Sequence, residues 1–140
     1  GVRHKTSDNI KAKKEFTVGI ADVKNLVAAD YVGIVSGHDE PDKMKKSGFH
    51  TVKSEFVDAP VIEELPLTLE CRVGEMNQYD KTLRIVAKIV NVSADERILT
   101  ADGKIDTDRL NAISYDAANH AYLRIGERVG TAFADGKQLR

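Results

Sequence analysis

Two runs of alternating hydropathy, 67–76 and 82–92, dominate the pattern of the chain. In the first, Leu67, Leu69, Cys71 and Val73 alternate with Thr68, Glu70, Arg72 and Gly74, the period-two signature of a strand with one face in a core. In the second, Leu83, Ile85, Ala87 and Ile89 share one face, and Arg84, Val86, Lys88 and Val90 share the other. That second face is half apolar, which predicts cover on both sides of the strand. The polar pentapeptide 77–81 predicts a hairpin loop of about five residues. An isolated hairpin is unstable in water, so further strands or helices must pack on this one.

The flanking patterns supply them. Thr6 or Ser7 caps a predicted helix over 8–14, with Asp8 favourable in its first turn. Residues 15–20 read as a short strand, and Asp22 caps a helix over 23–29 with Val23, Leu26 and Val27 at helical spacing. Residues 31–35 form a brief apolar run and 36–41 a loop. A short helix over 42–46 ends at Gly48. Residues 49–57 alternate as a strand, 61–65 follow Pro60 as a short helix, 102–103 mark a turn, and 106–113 read as helical. Residues 115–119 read as loop, and 122–125 and 129–134 as short strands. The class is mainly β (α+β): one domain over 1–140, a barrel or curled sheet with short inserted helices.

Composition narrows the function classes. Net charge is −1, so no basic excess draws the chain to nucleic acid or to an anionic membrane. With aromatics at 6%, an oligonucleotide-binding barrel is poorly supplied with stacking platforms. No apolar run approaches the roughly 20 residues that span a bilayer. Cys71 is the single cysteine; it reads as a core residue rather than a nucleophile, and it suits a reducing, cytoplasmic compartment.

Direct signals of chemistry are sparse. Glycine-rich phosphate loops are absent, and His4, His38, His50 and His120 lack metal-ligand spacing. Asp102, Asp106 and Asp108 read as a turn and a helix cap rather than a calcium loop. The lysine runs 11–14 and 43–46 read as solvated helix faces, or as partners of a phosphate where free backbone N–H groups lie beside them. Thr6-Ser7 and Ser36-Gly37 are the two places where an anion is expected.

Several segments together resemble the flavin reductase-like FMN-binding split-barrel family, which includes flavoredoxins. Residues 3–10 followed by Glu15-Phe16-Thr17-Val18 resemble its R-x-x-T-x-x-x-I … E-F-x-V segment. Residues 31–37 followed by Asp42-Lys43 resemble its G-x-x-S-G-x-x-x-D-K-F element, with Met44 where Phe is usual. Residues 48–60, Leu69-Glu70-Cys71, 102–106 and 115–126 resemble later parts in order. The resemblance implies a homodimer with FMN held noncovalently near the interface. It implies that Thr6, with Ser7, lies at the phosphate and that Ser36 and Gly37 shape the loop leading to Lys43. Lys43 would place positive charge on the phosphate or on the reduced ring, and Tyr115 would pack on the isoalloxazine. The bland readings stay open: Thr6 as a cap, Lys43 as a surface lysine, Tyr115 as core.

Two departures stand out. The family's hairpin-loop histidine is absent, with Tyr79 in the corresponding Asn77-Gln78-Tyr79-Asp80 stretch. The family's first strands precede Gly1, so the domain is expected to be N-terminally incomplete. The implied function is an FMN-binding redox protein, reductase-like or flavoredoxin-like, taking electrons from NAD(P)H. The alternative is a noncatalytic split-barrel dimer that has lost flavin and serves as a binding or interaction protein.

Overall fold

The central hairpin is longer and its turn tighter than the alternation predicts. In the computed structural model, which describes residues 4–140, strand β4 (Leu67–Tyr79) pairs antiparallel with β5 (Thr82–Ala94) from Tyr79↔Thr82 to Leu67↔Ala94. The predicted five-residue loop is a two-residue turn, Asp80-Lys81, with Asp80 at φ 45°. Aspartate tolerates this left-handed conformation better than most residues, which suits it to a tight hairpin. Register shifts fall between Glu70 and Cys71 and between Val73 and Glu75. Such bulges reset the inside–outside alternation, so Ile89, expected to face inward, is half exposed, while Val90 turns partly in.

Strand β1 (Glu15–Ile20) lies antiparallel along the other edge of β4, giving the order β1-β4-β5. Among the described residues no strand pairs with the outer edge of β5. Val86, Ile89 and Val92 are exposed on β5, so among the described residues the expected cover on both sides of this strand is incomplete. Two small hairpin sheets complete the β structure: β2 (Thr51–Lys53) with β3 (Pro60–Ile62), and β6 (Ile113–Asp116) with β7 (Ala121–Arg124). Around them lie α1 (Lys5–Lys13), α2 (Leu26–Ile34), α3 (Lys43–Ser47) and α4 (Thr107–Leu110). Leu67, Ile98, Leu110 and Ala112 form one apolar cluster, with Ile20 packed against it.

Several local expectations changed for identifiable reasons. The 31–35 run is the end of α2, and Asp22 accepts from Asn25 N at 2.9 Å in the turn before that helix. The predicted strand 49–57 shortens to β2 because the Ser54 hydroxyl captures the N–H groups of Phe56 and Val57 at 2.9 and 3.0 Å and turns the chain. The predicted helix 61–65 is instead β3. Pro60 opens that strand opposite Lys53, a position where its missing N–H costs the ladder little. Residues 115–119 are divided between β6 and the turn that follows, and 129–134 form no strand. Asp106 does cap α4, accepting from Asp108 N and Arg109 N.

The first half of the β4 face read as polar is buried, while Arg72 and Gly74 further along it are exposed. Thr68 and Glu70 are each 2% exposed. The Glu70 carboxylate accepts from Ser54 Oγ at 2.7 Å, from Ser93 Oγ at 3.1 Å and from Asn91 Nδ2. Cys71 is buried on the opposite face, and burial pushes its thiol up, which confirms a core role over a nucleophilic one.

A surface pair joins the start of β2 to the segment after β3: His50 Nδ1 lies 2.6 Å from Glu64 Oε1. The Glu64 contact raises the imidazole above its ordinary value. Burial pushes the Glu64 carboxyl up, but its contacts with His50 outweigh this and lower it. The pair therefore contributes below the ordinary histidine value and is lost as pH rises through the raised one. Its contribution is lost at the other end as pH falls through the lowered carboxylate value. An NMR titration of His50 is expected to midpoint above its ordinary pKa and to return to it in Glu64→Gln. A midpoint unmoved by that substitution would refute the coupling.

Candidate functional site

Five of the expected site residues, Thr6, Ser7, Ser36, Gly37 and Lys43, lie where α1, the loop 35–42 and α3 come together. Helix α1 begins one residue after His4, which caps it without a side-chain hydrogen bond. Thr6 and Ser7 therefore sit in the first turn rather than capping it, a correction to the predicted boundary. The opening N–H groups of an α-helix have no partner within the helix, and the His4 side chain does not cap this end. An anion is favoured there by those donors and by the helix dipole.

The loop wedges against that turn through Gly37. A Cβ on Gly37 would lie 3.4 Å from Lys5 Cβ and Cγ and 3.8 Å from Lys43 Cε. A side chain here would push into the gap between the two lysines. Ser36 shapes the loop: its carbonyl accepts from Asp39 N at 3.1 Å and Glu40 N at 2.9 Å, and its hydroxyl from His38 N at 3.2 Å. His38 Nε2 lies 3.1 Å from Asp8 Oδ2, tying loop to helix.

Lys43 is held in place rather than free on the surface. Its ammonium donates to Val32 O at 2.8 Å and Val35 O at 3.0 Å. Those carbonyls end α2, where positive charge is favoured by the helix dipole. An ammonium has three donors, so one N–H remains for another acceptor. Lys5, Lys43 and the first turn of α1 gather around Gly37, with the Asp8 carboxylate beside them against His38; the lysine ammonium and the first-turn N–H groups are donors of the kind a phosphate monoester takes.

The two tyrosines lie elsewhere. Tyr79 is the last residue of β4, paired with Thr82, and is exposed. Its neighbour Gln78 accepts from Lys11 Nζ at 3.2 Å. Between α1 and this hairpin tip lies a cavity of about 250 Å³ lined by Ser7, Lys11, Gln78 and Lys81 among others; Tyr79 is not among its lining residues. Tyr115 stands on β6, its hydroxyl 3.0 Å from His120 Nδ1 and its ring 5.8 Å from that of Tyr122. Tyr122 donates to Asp30 Oδ1 at 2.6 Å. The tyrosine pair thus joins α2 at its middle while Lys43 joins its end, about 3–8 Å further along the axis.

Lys5 and the His38–Asp8 contact escaped the sequence reading, whereas Lys11 belongs to the lysine run it marked. Lys5 stands beside the Thr6-Ser7 signal, but its neighbours in space, residues 37 and 43, lie over thirty positions away. Among the described residues no cluster of His, Cys, Asp or Glu is arranged to hold a metal. No helix among them is long and apolar enough to cross a membrane.

The chain is 28% identical to a flavoredoxin of Methanosarcina acetivorans, with TM-score 0.89 over 98% of this chain and 72% of that one. It is 29% identical to the flavoredoxin of Desulfovibrio vulgaris (Miyazaki F), with TM-score 0.88 over 96% and 73%. An uncharacterized protein of Halalkalibacterium halodurans is 29% identical over 134 residues, covering 91% of this chain and 62% of that protein. The chain thus spans less than two thirds of that relative's length. The fold is the split barrel of flavin reductase-like proteins. Residues 1–109 match the model of the flavin reductase like domain, and the chain belongs to that family.

Proposed function

We propose that this chain is a single-domain, cytoplasmic, FMN-binding redox protein, reductase-like or flavoredoxin-like, that works as a homodimer with electrons from NAD(P)H. The observation that carries the reading is the corner where Gly37 separates Lys5 from Lys43 beside the first turn of α1. Membership of the flavin reductase-like family supports flavin as the ligand. Thr6, Ser7 and the first-turn N–H groups would hold the phosphate. Ser36 and Gly37 would keep the loop close enough to receive it, and Lys43 would fix its charge. Tyr115 and Tyr79 would contact the ring end of the cofactor. FMN supplies hydride acceptance and onward electron transfer; the protein's share is orientation and charge.

A second reading, a split-barrel dimer without flavin, draws on the double donation of Lys43 to α2, which occupies the ammonium in a purely structural task. Absorbance titration separates the two. With FMN, the first reading expects saturable perturbation of the flavin bands, and bleaching on adding NADH or NADPH without air. FMN bands that stay those of the free cofactor at every protein concentration would leave the second reading standing.

A further inference from the structure

The segment after β7 is exposed along its whole length. Its last hydrogen bond to the body runs from Ile125 N to Ala112 O, 3.1 Å. Beyond it, among the described residues, every hydrogen bond made by 126–140 closes within the segment. Arg128 Nη2 donates to Thr131 Oγ1 at 2.7 Å, Thr131 N donates to Asp135 Oδ2 at 2.9 Å, and a 3-10 turn over Asp135–Leu139 follows. A Cβ on Gly130 would lie 2.6 Å from Asp135 Oδ2, so a side chain at residue 130 would make the Asp135 carboxylate shift. From this turn Val129, Phe133 and Leu139 stand 94%, 98% and 89% exposed. Phe133 has φ 62°, uncommon for a bulky residue. Such a conformation persists where surroundings over-determine it, and among the described residues almost nothing surrounds Phe133.

A matching cover is missing elsewhere on the same chain. Helix α2, Leu-Val-Ala-Ala-Asp-Tyr-Val-Gly-Ile, is apolar nearly all round, the composition of a buried helix. Yet Val27 and Ile34, two turns apart on one face, are 80% and 74% exposed. An added Cβ on the adjoining Gly33 would meet nothing within 4 Å. The Tyr122–Asp30 bond roots the 126–140 segment beside this helix, and the segment still leaves the stripe bare.

We propose that 126–140 is an exchanged arm: Val129, Phe133 and Leu139 of one copy cover the Val27–Ile34 stripe of a second copy, and the reverse. A ligand and its receptor on one chain, unmatched among the described residues, are what a twofold, self-complementary contact requires. Fifteen residues reach at most ~50 Å when extended, ample for a crossing. One buried phenylalanine contributes ~150–250 Å², so two arms with three apolar side chains each supply a substantial part of the roughly 1,600 Å² of a standard interface. The proposal rests on the homodimer reading above and names the contact that makes it.

Sedimentation equilibrium tests it, on the chain itself, on Phe133→Asp and on a truncation after Ile125. The expected result is a dimer whose Kd rises about tenfold or more in both variants, with unchanged far-UV circular dichroism. Mixing Ile34→Cys with Phe133→Cys under mild oxidation should give a covalent heterodimer, the buried Cys71 staying unreactive. A monomer at all concentrations up to about 100 µM overturns both this proposal and the homodimer reading. A dimer that survives Phe133→Asp, or the absence of the mixed crosslink, overturns the arm alone. Flavin binding by the same variants, read by absorbance, is scored separately, because no arm residue belongs to the proposed FMN site.

Discussion

Replacing Glu70 by alanine is expected to cost about 3–5 kcal/mol of folding stability. The carboxylate gathers donors from Ser54 Oγ, Ser93 Oγ and Asn91 Nδ2 at a position 2% exposed. Each buried donor left without an acceptor costs about 1–3 kcal/mol. Asn91 Nδ2 also donates to Ser93 Oγ at 3.1 Å, which keeps the loss below the simple sum, while the vacated volume adds to it. Domains of this kind are stable by about 5–15 kcal/mol, so the variant loses a large share. Glu70→Gln keeps one acceptor oxygen but points an amide at donors, and should lose about 1–3 kcal/mol. Urea titration followed by far-UV circular dichroism reads both, and an alanine variant within about 1 kcal/mol of the parent would show that the network is incidental. The pH dependence has a definite sign. Burial pushes the Glu70 carboxyl up, but donation by Asn91, Ser54 and Ser93 outweighs it and holds the group below its ordinary value. The advantage of the parent over Glu70→Gln is therefore present above the ordinary carboxylate value and disappears as pH falls through the lowered one.

Lys43→Met should weaken FMN binding about 10- to 100-fold, because a hydrogen bond from a charged donor is worth about 1.5–3 kcal/mol. The same change removes the donor from Val32 O and Val35 O, so about 1 kcal/mol of stability should go with it. The two effects separate the two functional readings. If the lysine serves the cofactor, affinity falls, and the difference between parent and variant shrinks as salt is added. If it only finishes α2, the melting temperature falls while the FMN titration stays that of the parent. Arginine is a poor substitute, since its planar fork does not match a point charge shared between two carbonyls.

The central hairpin was legible because Leu67, Leu69, Cys71 and Val73 alternate without interruption until a bulge resets them. What that alternation concealed is that Thr68 and Glu70 are covered too. A glutamate between leucines reads as solvent-facing, and only the register Glu70↔Asn91, with Ser93 nearby and Ser54 across from it, satisfies it inside. Pro60 misled because a proline before an apolar triplet signals a helix start as readily as a strand start. The pairing with Thr51–Lys53 decides the matter, and no local window contains it. The Ser36-Gly37 loop and Lys43 were marked by their turn and charge chemistry, and their nearness to the first turn of α1 is in line with that expectation. The part played by Lys5 was hidden because it depends on what Gly37 lacks, a Cβ, and on a contact across thirty-two positions. Tyr115 was expected against the isoalloxazine, at the other end of the cofactor from that corner. Its place on β6 follows from the β6–β7 hairpin and the Tyr122–Asp30 bond; the strand at 122–125 was legible, but its pairing with 113–116, read as helix end and loop, was not.

The thirteen residues of β5 carry one further implication, for handling the protein. A strand whose N–H and C=O row has no neighbour on one side invites another chain to add itself, and repeated addition leads to fibrils or precipitate. Arg84 and Lys88, both solvent-facing, are the charges that repel an incoming copy of the same strand. That repulsion is screened by salt, so concentrated stocks of this chain keep best at low ionic strength, where the two side chains act as electrostatic bumpers.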